Sequence, residues 1–391
     1  MKSFIHSTYA VLRRELHRIF HWKIYLVLMF VLPAISFFVF SVIFHNSLDT
    51  LPIAVLDQDN TPLSRQLTTM VDETPTAQVT YEIQDIEEGM SLMRQGKIYA
   101  ILQIPAFFEK NILSNTQTNV EFYNSGCNIT INGLLEKDVQ TTVKTFSTGI
   151  QLQLLQSQGL TARQAMALAL PINFDKHILF NPYINYSYYL APCFLAMMLL
   201  IFTVLLTVYA IGTELKFASA KEWLDTADGS IWAAVIGKLL PTTIAMFLMT
   251  MVMYVVVFKV IGAPMNGSAT MLILSALVFI LSYQSIGILF VAVFDNLRLA
   301  LSFGGGYSVL AFTFSGLTFP IMAMYPAMQW FSYLFPFTFY MRIYVDIAMR
   351  GAPVMYALSD LACMMLFLIP AIAVMPRLKT LCSDEKYWGK L

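Results

Sequence analysis

Few side chains in this 391-residue sequence stand at spacings that support chemistry. Cys127, Cys193, Cys363 and Cys382 are scattered singly, and no CxxC or HExxH cluster sets ligands at metal-binding intervals, so metal chemistry is not expected. The nearest approach to a phosphate cradle, Gly262-Ala-Pro-Met-Asn-Gly267, runs on into Ser268 and Ala269. A lysine followed by Ser or Thr is needed there to reach the phosphates and their metal. Gly304-Gly305-Gly306 lies in an apolar run with no strand before it, and reads as helix packing or flexible backbone. There is no G-x-S-x-G elbow. Catalytic, cofactor-binding and metal-binding residues are all expected to be absent, so the chain is not expected to be an enzyme by itself.

The remaining candidates are charges at the margins of apolar runs. Asp346 stands four residues from both Arg342 and Arg350, which reads as a structural ion pair on one helical face. Asp360 reads as a cap near the end of a helix, with a substrate-path residue as the alternative. The densest group is Glu214, Lys216, Lys221, Glu222, Asp225 and Asp228 around Phe217, Trp223 and Leu224. An exposed tryptophan in so short and charged a segment points to a partner surface, because aromatics concentrate in interface cores.

The elements that position these residues follow from composition. Hydrophobic residues make up 57% of the chain and charged ones 12%, against about 25% charged in soluble domains. Much of the surface must therefore face something other than water. The net charge is zero, which argues against nucleic acid. A membrane helix needs roughly 20 apolar residues. Ile24–Phe44, about Tyr188–Thr213, Ala233–Phe258, Thr270–Phe294, Leu299–Leu317 and Val354–Met375 meet that need, so six spans are expected. After the fifth, Pro320, Pro326 and Pro336 interrupt an aromatic-rich stretch, which reads as a re-entrant pair of half-helices over 319–350.

The expected organisation is a mainly α membrane protein of six transmembrane helices, with an α/β extracytoplasmic domain inserted between helices 1 and 2. Residues 1–23 form a basic amphipathic interface helix, 24–44 the first span, 45–185 the outer domain, and 186–376 the remaining spans with a connecting loop at 212–232. A tail follows at 377–391. Tyr9, Leu12, Leu16, Ile19 and Phe20 recur at helical spacing between Arg13, Arg14 and Arg18, which places the first helix at the membrane surface or against the bundle. Both termini are rich in Lys and Arg and are expected in the cytoplasm, in a bacterial inner membrane. The domain alternates strands and helices from Leu51 to Tyr123 in βαβαβαβ order, with Pro105 at the first position of its third helix. A long helix over about Ile131–Gln156 follows it.

Three stretches resemble the ABC-2 type permeases, the membrane subunits of ATP-binding-cassette exporters, in the drug- and lipid-exporter branch. Leu51–Arg65, Gly96–Pro105 and Phe107-Phe-Glu109 resemble that branch's outer domain. Glu214–Leu224 with Gly237-Lys238-Leu-Leu-Pro241 is similar to the family's "E-x-E-x-G-T-x-E-x-L" segment and the "G-K-x-x-P" that follows. This chain departs there in Lys216, Ala218 and Ser219. Ser315–Pro320, Trp330, Leu334–Pro336 and Arg350-Gly351 resemble the outer half-helices.

The resemblance implies a permease that moves a hydrophobic or amphipathic substrate outward. ATP and Mg would be bound by a separate ATPase subunit, and none by this chain. It implies ATPase coupling through Glu214, Lys216, Phe217, Lys221, Glu222, Trp223, Leu224 and Asp225, with Arg13, Arg14 and Arg18 on the interface helix. An outer gate would involve Phe319, Pro320, Pro326, Trp330, Pro336 and Tyr340. Expected partners are the ABC ATPase, a second permease copy or sister chain, and membrane lipid; a periplasmic adaptor is a further candidate. The alternative is a membrane-anchored receptor or scaffold whose outer domain binds a ligand or envelope partner without transport. Anchoring alone needs only one span. A channel or secondary transporter would be expected to place charge or broken helices near the midplane, where these spans have almost none.

Overall fold

The computed structural model describes residues 2–45, 50–171, 177, 179–181, 185–316 and 319–389. The chain is mainly helical and divides into two compact units, Met1–His45 with Ile178–Leu391 and Asn46–His177. The bundle unit opens with helix α1 (Lys2–His21), followed by α2 (Lys23–Leu26) and α3 (Leu32–His45), which a π turn at Val27–Val31 joins.

The second unit alternates β1 (Leu51–Asp57), α4 (Pro62–Asp72), β2 (Ala77–Glu82), α5 (Ile86–Arg94), β3 (Ala100–Ile104), α6 (Phe108–Leu113) and β4 (Glu121–Asn124). Two further helices close it, α7 (Ile129–Ser157) and α8 (Ala162–Ala169). The element order matches the alternation read from the sequence. The third helix begins three residues after Pro105, however, because Phe107 takes a left-handed conformation at its N-cap (φ 61°) and the helix starts beyond it. The sheet runs β2-β1-β3-β4, with only β4 antiparallel. β1 is apolar on both sides. Ile53 and Val55 pack with Leu67 of α4 and with Leu135, Val139 and Phe146 of α7, while Ala54 and Leu56 pack toward Ile83, Ile98 and Ile101.

Open α/β sheets usually bind ligands beyond the carboxyl ends of their strands, where helix N-termini offer free amides. Here the chain's own carboxylates occupy those amides. Asp59 accepts from the Glu109 amide at 2.9 Å and Glu109 accepts from the Leu63 amide at 3.2 Å. Asp57 accepts from the amides of Asp59 and Asn60, both at 3.0 Å, and from the Ser64 hydroxyl at 2.6 Å. Burial alone would raise the Asp59 carboxyl. The Glu109 amide and Thr61 hydroxyl outweigh that and hold it below its ordinary value.

The bundle resumes with α9 (Tyr186–Lys216), α10 (Ala220–Thr226), α11 (Ile231–Val255), α12 (Ala269–Val293) and α13 (Leu297–Thr313). It ends with α14 (Pro326–Ser332), α15 (Pro336–Tyr344), α16 (Val354–Leu366) and α17 (Ile369–Ser383). Among the described residues, five segments are long and apolar enough to cross a membrane: Lys23–Ile43, Ser187–Lys216, Ile231–Val260, Ala269–Val293 and Val354–Ser383. The segment expected as a fifth span in sequence order is α13, with 17 residues; its expected end, Leu317, lies outside the described residues, as does Thr318.

α13 lies along α9. A Cβ on Gly212 would meet Leu297 at 2.6 Å, a Cβ on Gly304 would meet Val204 at 2.9 Å, and the Phe312 ring lies 5.1 Å from that of Phe194. Gly304 is therefore a packing glycine, while Gly305 and Gly306 face open space. The prolines of the broken stretch each open a helix: Pro320 precedes a 3₁₀ turn at Ile321–Ala323, and Pro326 and Pro336 stand at the first positions of α14 and α15. That is where a residue without an N–H costs nothing.

Candidate functional site

Five charged side chains from three separate parts of the sequence converge at the end of the bundle where α1, α9, α10 and α11 meet. The helical period of α1 turns Ser7, Val11, Glu15 and Ile19 inward, all buried, and sets Arg14 and Arg18 beside them. α1 can lie close to α11 because Gly237 is there. A Cβ at that position would meet the Thr8 carbonyl oxygen at 2.6 Å and the Val11 Cβ at 2.8 Å. The next residue, Lys238, is fully buried and reaches two carboxylates. Its Nζ lies 2.5 Å from Glu15 Oε2 and 2.7 Å from Glu214 Oε1.

Glu214 is the hub. Arg14 donates to both of its oxygens, at 2.7 and 3.2 Å, and Arg18 and the Ser219 hydroxyl donate to it as well. Glu15 also accepts from the Tyr25 hydroxyl at 3.0 Å. Three cations thus face two buried carboxylates, and Glu222 at the rim supplies a third, 3.4 Å from Arg14 Nε. Burial alone would lower the Arg14 guanidinium; the hydrogen bond and charge of Glu214 raise it above its ordinary value. Charges so buried persist only when paired and hydrogen-bonded, and every one of these has partners.

Aromatic rings and backbone contacts enclose the cluster. Lys238 Nζ lies 5.2 Å from the Trp223 ring centroid, and the Trp223 indole N–H donates to the Ala234 carbonyl at 3.2 Å. Arg18 lies 4.5 Å over the Trp22 ring, which meets Phe217 edge-on at 5.3 Å. The Ser7 hydroxyl donates to Asp228 at 2.5 Å, and the Gly389 amide donates to the Leu215 carbonyl at 3.1 Å. Both ends of the chain therefore meet at this end of the unit.

The structure corrects the expected exposure of Trp223. Its relative exposure is 0%, because the short helix α10 turns it under itself onto α11. Glu214 and Leu224 are buried too, which leaves Phe217, Lys221, Glu222 and Asp225 as the exposed members of the expected set, with Lys216 half-buried. On α1, Arg13 is exposed, whereas Arg14 and Arg18 serve the cluster. The expected stripe does not face the bundle as a whole: Tyr9, Leu16 and Phe20 are exposed beside Ile5, and only Ile19 packs inward.

Glu15 and Lys238 are members of the cluster that composition does not reveal. The signals for them are an acid within an otherwise basic helix and a lysine in the Gly237–Pro241 motif just inside an apolar run, neither of which names its partner. The residues expected at a gate differ in exposure. Pro336 and Tyr340 are buried, Tyr340 within 2.9 Å of the Tyr254 hydroxyl, while Phe319, Pro320, Pro326 and Trp330 are exposed. Asp346 pairs with Arg350 at 2.7 Å, but Arg342 turns instead to Asp360 at 3.5 Å. Asp360 is the partner of that arginine rather than a cap.

The sequence pattern that defines the ABC-2 family transporter proteins matches residues 23–375. The chain belongs to this family, and with its several long apolar helices it is a multi-pass membrane protein. A comparison with curated proteins finds no match.

Proposed function

We propose that this chain is the permease subunit of an exporter driven by ATP hydrolysis on a separate subunit, and that the cluster around Glu214 is the part that receives the force. The observation that carries this reading is the fixing of a surface segment to the bundle by buried charge. The segment from Phe217 to Asp225 presents Phe217, Lys221, Glu222 and Asp225 outward, while Glu214 and Trp223 beneath it are bonded to α1 and α11. A push on that face is transmitted to helices α1, α9 and α11 together, since breaking a buried pair costs about 3–5 kcal/mol.

Six crossings are supported by α13, which accompanies α9 from Gly212 to Phe194, about 27 Å at 1.5 Å per residue. The basic flanks of the chain support a cytoplasmic side for this end of the bundle, with residues 45–185 outside, and the exposed stripe Ile5, Tyr9, Leu16 and Phe20 suits a helix lying in the headgroup layer. A second permease copy or a sister chain pairs with it around the path, and the cargo is hydrophobic or amphipathic. The receptor reading leaves the several long apolar segments unexplained, since anchoring alone needs only one.

The test is affinity purification of the full chain from its native membranes. A P-loop ATPase is expected to co-purify, and Phe217→Ala combined with Lys221→Glu is expected to release it without shifting the melting of the permease. Retention of the ATPase by that variant, or ATP hydrolysis by the chain alone, would sink the assignment.

A further inference from the structure

The long helix α7 carries an apolar stripe that extends beyond its well-packed part. Ile131, Leu135, Val139 and Phe146 are buried in the core of the α/β unit, but the same period continues through Ile150 to Leu154 for two more turns. Between this half of α7, helix α6 and the segment leading into β4 lies a cavity of about 370 Å³. Leu67, Phe108 and Phe146 form its buried floor, and Ile112, Ile150 and Leu154 its walls.

Among the described residues, no charged side chain lines this cavity. Its polar groups are the neutral amides of Asn115, Gln117 and Gln151 and neighbouring hydroxyls, all at the rim. Val120 and Val143 continue it into a second cavity of about 450 Å³, where the first charges, Glu136 and Lys144, are met. From Val143 to Leu154 the α7 wall is roughly 17 Å long. An apolar floor with a few polar groups at one margin, in a volume between about 300 and 1,000 Å³, is the form of a small-molecule site.

We propose that this groove binds a neutral, single-chain amphipathic molecule, its hydrocarbon along α7 and its uncharged polar end at the Asn115, Gln117 and Gln151 amides. The absence of charge selects against ionised headgroups, because a carboxylate or phosphate there would be desolvated without a counter-ion. The length of the α7 wall favours a chain over a compact ring. The site lies wholly within Asn46–His177 and stands whether or not the force-receiving role proposed for Glu214 holds.

The test is photo-crosslinking of the full chain in lipid nanodiscs with a diazirine-bearing monoacylglycerol, followed by peptide mapping. Labelling is expected within residues 108–120 and 143–154, and excess unlabelled monoacylglycerol should suppress it. Ile150→Glu, which sets a carboxylate against the chain, should cut that labelling by about tenfold or more. Ile150→Trp, which fills the groove without adding charge, should do the same while hydrogen exchange of the sheet stays native. Labelling confined to the spans, labelling that excess unlabelled ligand does not reduce, or full labelling of a folded Ile150→Trp would each overturn the proposal.

Discussion

Replacing Glu214 with glutamine tests the buried cluster most directly. The glutamine has nearly the same shape, so packing around α9 is kept and the change is one of charge. It would leave Lys238, fully buried, with Glu15 alone, and would leave Arg14 and Arg18 without the carboxylate that accepts from both. Removing one partner of a buried pair costs about 3–5 kcal/mol, chiefly through the charge left behind. For a unit of this size that corresponds to a fall in midpoint of roughly 6–20 °C, at about 2–4 °C per kcal/mol.

The assay is thermal unfolding followed by tryptophan emission. Trp22, Trp223, Trp232, Trp330 and Trp388 are the only tryptophans and all lie in the bundle unit, so the α/β unit does not contribute to the signal. The control is Glu222→Gln at the exposed rim, where a surface pair is worth about 0–1 kcal/mol. A Glu214→Gln midpoint no lower than that of Glu222→Gln would refute the reasoning that this carboxylate holds α1 and α11 together.

Other expectations follow from the same geometry. Gly237→Leu forces α1 away from α11, since even a Cβ comes within 2.6 Å of the Thr8 backbone; about 1–3 kcal/mol of stability should be lost, and limited proteolysis should then cut within α1. Trp223→Ala should lower the midpoint by an amount equivalent to about 3–5 kcal/mol, so any loss of partner binding in that variant should be reversed by conditions that restore folding. In the α/β unit, the lowered Asp59 carboxyl contributes stability that is fully present above its unfolded pKa of about 3.9 and is lost as pH falls through the lower folded value. Asp59→Asn should flatten that acid limb, read as the pH dependence of hydrogen-exchange protection over residues 105–114 after correction for intrinsic rates.

The sequence by itself determined the features that depend on near neighbours. A charge-poor composition and uncharged runs long enough for a bilayer require a membrane protein, because an apolar run of that length has no other stable solvent. The strands and helices from Leu51 to about Gln156 were legible from their alternation and from the apolar period of α7. Prolines at 326 and 336 marked breaks in the aromatic-rich stretch, and the structure sets each at a helix start.

Tertiary structure alone decided which of the distant charges meet. Lys238 and Glu15 are 223 positions apart, and Arg14 and Glu214 are 200 apart; no period or cap rule reaches that far. Arg342 illustrates the same limit. Spacing offered it Asp346, but a π turn over Val345–Met349 and the packing of α16 gave it Asp360. Composition around Trp223 suggested a surface ring, yet its burial depends on α10 folding back onto Ala234, a contact between elements that hydropathy cannot anticipate. The charged segment and its place in the chain were therefore visible in the sequence. That its central residues hold the bundle together, leaving Phe217, Lys221, Glu222 and Asp225 to face outward, was settled by packing, because burial is a property of what lies opposite a side chain rather than of the side chain itself.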